Sequence, residues 1–585
     1  MNLNNKVTNV IASILLGLMF TTAFFSMKGD SLTFDELAHV SAGYSYLTQQ
    51  DYRLNPEHPP LAKDITAFPL LFLNLNFPSD EQVWLQEDSA PAWWVQFDLG
   101  REFLYNSDNN PQQIIFWSRL AAIIMLIFFG WLIFQWTRKT TNNVVALTTL
   151  TFFAFSPTFL AHGRLTNTDV GAVLGMFLAV TCWLKFLKQP TWKNILLAGL
   201  VFGLAMLFKF SLILLIPFFV IITLLYAFLF SKPILPYLTK SLLVGLTGFI
   251  LVIWPIYQLH VLNYPAEQQL RDTIADISGH PIPAAKDMVI WMTKQEPLRA
   301  PAQYLRGVLM ASQRTAWGNT TFFNGQISAS SWKTYFPSLY LFKIPLSFHL
   351  LSLLALGFSL LWLKRNNKKE IINSIRHNFW LIALLIWIIF YWLISIAGNL
   401  NIGIRHLLPV FPFTYILVSF GLYQIIKAIT KEKIQQTFIL SVFLLLILYA
   451  ASSLTTFPHY LSYYNELAGG TVNGYKTAVD SNYDWGQDFY RLLAFIEKEN
   501  IDKIHLDYFG GEDPEYWLKE KYVKLNPKEI KEPPKGWLAV SVNQLMGGLA
   551  EPAPGFDQET GYYNWLRNYS PVAKAGHSIF IYKIE

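Results

Sequence analysis

The run VTNVIASILLGLMFTTAFFSM (Val7–Met27) is followed, after a short turn, by LTFDELAHVSAGYSYLTQQDYRLNPEHPPLAK (Leu32–Lys63). The first is mostly apolar and, at about twenty residues, long enough to cross a bilayer as a helix. The second sets Asp35, Glu36, His39, Arg53, Glu57, His58 and Lys63 directly beside it. Charge this dense next to lipid is expensive unless it is paired or put to use. Ala23 and Ser26 would also suit a cleaved signal sequence, but many further spans follow and need a first one to orient them.

The rest of the chain has the same character. Of 585 residues, 53% are apolar and 14% charged, with a mean hydropathy of +0.30, which excludes an ordinary soluble protein. Apolar runs recur at roughly 114–136, 144–161, 170–187, 195–208, 212–230, 242–260, 339–363, 379–397, 407–426 and 438–454, giving about eleven helices with the first. Five alternate connections hold fifteen Lys or Arg against two acidic residues, Glu370 and Glu432, so the positive-inside rule makes them cytoplasmic. The N-terminus is then cytoplasmic, and the first loop (28–112), the turn at 162–169, Lys209, the long loop 263–337, the turn at 398–406 and the tail all face outward. Residues 28–112 carry thirteen Asp or Glu against four Lys or Arg, which suits an outer loop. Its Trp84, Trp93 and Trp94 suggest short interfacial helices. The expected architecture is mainly α and polytopic: a transmembrane domain (1–456) and a small soluble α/β domain (457–585). In the latter, 488–498 reads as an amphipathic helix and 503–508, 537–542 and 578–583 as strands.

Several chemistries are excluded early. The single cysteine, Cys182, permits neither an intrachain disulfide nor a thiolate cluster. There is no P-loop or dinucleotide glycine fingerprint, so a cytosolic nucleotide donor is not expected, and nothing points to nucleic acid.

Phe34-Asp35-Glu36 followed by His58-Pro59-Pro60-Leu61-Ala62-Lys63 resembles the first outer loop of the protein O-mannosyltransferases, membrane glycosyltransferases of the GT-C fold that use polyprenyl-phosphate sugars. His162-Gly163-Arg164 with Asp169, GIRHLLPVFP (403–412), YYNELAGG (463–470) and DSNYDWGQD (480–488) are similar to bacterial members of the same carrier-dependent group. The resemblance implies that Asp35 is the catalytic base with Glu36 beside it, and that Asp169 is the second acidic residue of the site. It implies a polyprenyl-phosphate sugar as donor, a protein, glycan or lipid as acceptor, and a place in the inner or plasma membrane with the tail periplasmic or extracellular.

Such a transfer needs a base for the acceptor hydroxyl, cations for the departing phosphate and a dry groove for the prenyl chain. Lys63, Arg164, Lys209, Arg405 and His406 are the candidate phosphate ligands; Arg53, Glu57, His58, Asn465, Glu466, Asp484 and Trp485 are candidates for substrate binding. A monophosphate carrier requires no metal, although His39, His58, His162 and nearby carboxylates could hold a divalent ion. Each residue also has a plain structural reading. Asp35 and Glu36 could cap a helix after Thr33, Asp169 could cap the next span, the cations could snorkel or close helix ends, and 460–488 could simply dock the tail. Two other classes remain open: a transporter or flippase of lipid-linked sugars, and a membrane-anchored receptor or assembly factor acting through its tail.

Overall fold

A computed structural model describes residues 4–85, 92–530 and 532–585; the side chains of 92 and 93, Trp93 among them, lie outside that description. Among the described residues nine helices are long and apolar enough to cross a membrane, and two shorter apolar ones, Asn143–Ala154 and Trp192–Met206, bring the total to the eleven expected. This is an integral membrane α protein.

The boundaries depart from expectation where proline intervenes. The run at 144–161 is two helices, Asn143–Ala154 and Pro157–His162, because Ser156 before Pro157 is extended (φ −72°, ψ 115°) and caps the second helix through Phe159 N–H. The run at 339–363 likewise breaks at Pro345 into Tyr335–Lys343 and Leu346–Arg365. At 242–260 the helix begins earlier, at Ile234, and absorbs Pro255 through a wide π turn at Phe249–Ile253.

The first loop is buried where it begins, whereas Phe68, Leu71, Phe72 and Trp94 further along it are exposed. Its helix Phe34–Gln49 is buried from Glu36 to Tyr46, covered by Leu61–Ala67, Ala92–Arg101 and the tail. Glu36 anchors it. Its carboxylate accepts from Thr33 N–H (3.0 Å) and Thr166 N–H (2.8 Å), and from Arg119 Nε (2.9 Å) and Nη2 (2.6 Å). Arg119, inside the second span, also donates to the carbonyls of Asp30 and Ser31 (2.7 Å each). One buried pair thus ties the first span's exit, the second span and the turn before Asp169.

The long loop supplies the helices Ala266–Ile277, Pro283–Thr293 and Arg299–Trp317 and a hairpin, β1 (Thr321–Phe323) and β2 (Gln326–Ser328). The tail contributes β3 (Ile504–Asp507), β4 (Tyr522–Lys524), β5 (Gly536–Ser541), β6 (Glu551–Pro552), β7 (Ala573–Ala575) and β8 (Ile579–Ile584). Its main sheet has the order β4-β3-β5-β8-β7, with β3 parallel to β4 and β5, and β8 antiparallel to β5 and β7. The apolar face of helix Phe489–Lys498 packs on this sheet.

The α/β tail is seated on the first loop. Ser31 N–H donates to Gln487 O (3.0 Å), Phe34 N–H to Trp485 O (3.0 Å) and Gly511 N–H to Leu32 O (3.1 Å), while Leu32 N–H donates to Glu512 (2.7 Å). β6 pairs with β2, joining tail and long loop. Just past β3, Phe509 stacks on Phe34 with ring centroids 5.2 Å apart.

Replacing Glu36 by Ala leaves Arg119 buried without its counter-charge, a change that costs about 3–5 kcal/mol. The expected outcome is a markedly lower unfolding temperature of the detergent-purified protein. Burial pushes the Glu36 carboxyl up, but Arg119 and the backbone donors outweigh it and hold it below its ordinary value. A depressed folded-state pKa contributes stability above the unfolded value and loses it as pH falls, so the wild-type advantage over Glu36→Ala should shrink below about pH 4.5.

Candidate active site

The helix, the turn at 404–406 and the tail converge on a cavity of about 620 Å³. Asp35 and Glu36 are neighbours in sequence but about 100° apart around a helix, so only one can face a given side. Glu36 faces the protein, and Asp35 lines the cavity with Arg405 Nη1 2.8 Å from its Oδ2. Burial raises the Asp35 carboxyl, but the charge and hydrogen bond of Arg405 overcome that and hold it below the usual carboxylate range. Asp35 is a carboxylate at neutral pH.

Arg405 is the hub. The same nitrogen lies 3.5 Å from Asp169 Oδ2, and the guanidinium stacks on the Trp485 indole at 4.2 Å. Asp169 in turn accepts from Lys209 Nζ at 2.5 Å. Asp169 opens the span Asp169–Lys188, with its own N–H bound to Asn167 Oδ1 (2.9 Å); it lies behind the lining, whereas Lys209 and Arg405 are in it. Gly403 permits this arrangement: a Cβ there would overlap the Ser481 hydroxyl, and Ile404 N–H donates to Asn482 (2.9 Å), so the tail crosses directly over the turn that carries Arg405.

On another wall Glu57 accepts twice from Arg314 Nη1 (2.7 and 2.9 Å). His58 also lines the cavity, its ring 5.4 Å from that of His39. Burial, with His39 and Lys209 beside it, pushes His58 well below its ordinary value; burial also lowers His39 in spite of Asp35. Both are neutral imidazoles near pH 7. Ile213, Leu214, Val308, Ile394 and Leu400 add apolar lining, and Phe509 and Trp485 come from the tail. Among the described residues no group of three or more His, Cys, Asp or Glu is arranged to hold a metal ion.

Of the residues expected at the site, Asp35, Glu57, His58, Lys209, Arg405, His406 and Trp485 line this cavity, with Asp169 one contact behind. The others have different work. Glu36 holds Arg119. Lys63, expected at the phosphate, is enclosed by Tyr46 OH (2.8 Å), Asn55 O and Oδ1 (3.1 and 2.8 Å) and His58 O (2.9 Å), which saturates its donors and fixes the loop presenting His58. Arg164 pairs with buried Asp30 at 2.6 Å and reaches Pro458 O. Arg53 pairs with Asp51 and stacks on Trp84. Asn465 donates to Leu341 O and Ile344 O, and Asp484 accepts from Asn543 and Gly486 N–H groups. Glu466 is exposed and outside the lining. Sequence reasoning missed Arg314, which sits in no motif and is delivered by the amphipathic helix Arg299–Trp317. It also missed Phe509, whose only signal is its position just past β3.

Residues 111–255, which include Arg119, Asp169 and Lys209, match the family model described as dolichyl-phosphate-mannose-protein mannosyltransferase. The match lies within the membrane region and covers about a quarter of the chain. No curated protein matches the chain. Among solved structures, the apo oligosaccharyltransferase of Archaeoglobus fulgidus is similar at 12% identity and a TM-score of 0.44, over 77% of this chain and 56% of that one. The chain thus spans little more than half of that relative. The archaeal oligosaccharyltransferase AglB from Archaeoglobus fulgidus, in complex with an inhibitory peptide and a dolichol-phosphate, aligns at 12% identity and 0.41 over 90% of this chain and 69% of that one. ArnT from Cupriavidus metallidurans bound to undecaprenyl phosphate aligns at 11% and 0.31 over 97% of both.

Arg405 reaches both carboxylates with one nitrogen while its planar guanidinium lies over the Trp485 indole, a stacked placement that a lysine ammonium does not reproduce. Arg405→Lys should therefore lower the transfer rate by roughly 10²-fold while the protein still folds, as measured by steady-state kinetics alongside thermal unfolding.

Proposed function

We propose that the chain moves a sugar from a polyprenyl-phosphate carrier to an acceptor hydroxyl on the outer face of the membrane, in a single displacement with inversion. The observation that carries this reading is a carboxylate, Asp35, held 2.8 Å from Arg405 in the wall of a cavity that also has apolar lining. In the proposed topology the N-terminus is cytoplasmic and the tail lies in the periplasm or outside the cell. The prenyl chain lies along Ile213, Leu214, Val308 and Ile394, and the phosphate lies against Lys209 and Arg405, with His406 beside them.

The Asp35 carboxylate accepts the acceptor's hydroxyl proton. The acceptor oxygen then bonds to the anomeric carbon as the carbon–oxygen bond to the carrier phosphate breaks, with its electron pair leaving on that phosphate. Lys209 and Arg405 balance the charge that grows there. Asp169 does not touch the substrate; it steadies both cations from behind. The reaction as proposed routes no step through a metal ion.

The resting contact between Asp35 and Arg405 makes Asp35 a weak base, since a nearby cation favours the ionised form. An arriving phosphate competes for the same guanidinium. Drawing Arg405 off Asp35 raises the basicity of the carboxylate only when a donor is present, which restrains proton abstraction in the empty site.

Purified protein and its Asp35→Asn variant, given a panel of radiolabelled polyprenyl-phosphate sugars with envelope extract as acceptor, test the reading. Wild type should transfer label from one carrier, and the variant should lose at least about 10²-fold of that rate, the low end for general-base catalysis. A trapped covalent glycosyl-enzyme, or retained anomeric configuration in the product, would sink the single displacement. Labelled lipid crossing a sealed vesicle with no sugar consumed would make the chain a transporter.

A further inference from the structure

A second, much smaller cavity of about 60 Å³ adjoins the first, with a mainly polar wall built from Thr320 and Thr321 at the start of the hairpin and Asp480 and Asn543 of the tail. It shares Asp480 and Ile402 with the large cavity, so Asp480 stands in the partition between the two.

Asp480 is held there under strain. Its φ of +55° is a left-handed conformation that residues with a Cβ seldom adopt, Asp and Asn being the tolerant exceptions. Its surroundings enforce the conformation: Tyr483 and Asp484 N–H both donate to its carbonyl (2.8 and 2.9 Å). Asn482 next to it donates to Tyr335 OH, Ile402 O and Val479 O, and Ala478 bridges to Phe323 of the hairpin. Such strain persists where neighbouring structure over-determines a residue, commonly at a ligand site. Asn543 is fixed independently, its N–H donating to Asp484 at 2.8 Å at the start of the helix Val542–Leu549.

We propose that Asp480 and Asn543, with the threonines of the hairpin, anchor neighbouring hydroxyls of a carbohydrate acceptor while its reacting hydroxyl faces Asp35. This rests on the glycosyl-transfer reading and specifies its acceptor. The donor set decides the class. A carboxyl, a carboxamide and the Thr320 hydroxyl supply paired donors and acceptors, and Thr321 Oγ1, which already donates to Asn401 O, adds an acceptor; together they complement a diol. The wall holds no Lys, Arg or His for a phosphate or carboxylate. A volume of about 60 Å³ takes a few water-sized groups, enough for neighbouring hydroxyls and too little for a large peptide side chain. Burial also raises the Asp480 carboxyl against the pull of Arg405, which suits hydroxyl partners better than an ammonium.

The test uses the full-length protein with the donor panel and envelope extract above. Asp480→Asn keeps the shape and the left-handed tolerance, and Asn543→Ala leaves the backbone bond to Asp484 intact, so it carries the test if the first variant does not fold. The expected result is a labelled product that survives exhaustive protease digestion, with Asp480→Asn needing about tenfold more acceptor for half-maximal rate, as the loss of one charged hydrogen bond predicts, and Asn543→Ala about fivefold more, as the loss of a neutral one predicts, while the donor concentration for half-maximal rate does not move. Label released in peptides, or acceptor saturation identical to wild type in both variants, overturns the proposal. If wild type consumes no carrier sugar, the glycosyl-transfer reading fails and this one with it.

Discussion

The pairing of Glu36 with Arg119 is the constraint on which the rest of the structure depends. A guanidinium in the second span can be buried only if its donors are satisfied, and here they are shared between one carboxylate and the carbonyls at the end of the first span. Because Glu36 also accepts from Thr33 and Thr166, the start of the loop helix and the turn before Asp169 are fixed against one point. Asp35, one residue earlier on that helix, has its direction set by a contact it does not make.

Reading the sequence located the spans, because a bilayer imposes a length and a composition that survive without any neighbour being known. The tail's helix and its three central strands were legible for a similar reason: each has its own apolar periodicity. The short edge strands β4 and β7, three residues each, have no such pattern. The seating of the tail was not legible either. It is made by backbone groups of residues 31–34, and backbone hydrogen bonding between distant segments leaves no mark in side-chain identity.

The site was legible in part, and the division is physical. Motifs brought Asp35, Asp169, Arg405 and Trp485 to notice, and Lys209 stood out as a charge at a turn between two apolar runs; these five form one connected set. The same motifs carried Glu36, Lys63 and Arg164, which the fold uses internally. The difference is saturation. Lys63 spends its donors on four protein oxygens, whereas Lys209 has one carboxylate partner and an open side toward the cavity. A sequence names the charge but not the number of partners waiting for it.

The tail is therefore a wall of the site as well as an appendage to the membrane part. Trp485 covers one face of Arg405, Phe509 closes on Phe34, and the loop through Ser481 and Asn482 rests on Gly403. Without that cover, Arg405 and Asp35 would meet at the edge of bulk water, where a charge pair is worth little. With it, the pair sits in a low-dielectric pocket in which one displaced guanidinium changes the basicity of a carboxylate substantially. The electrostatics of the proposed glycosyl transfer thus require the tail to be in place, which makes the seating along residues 31–34 part of the proposed chemistry.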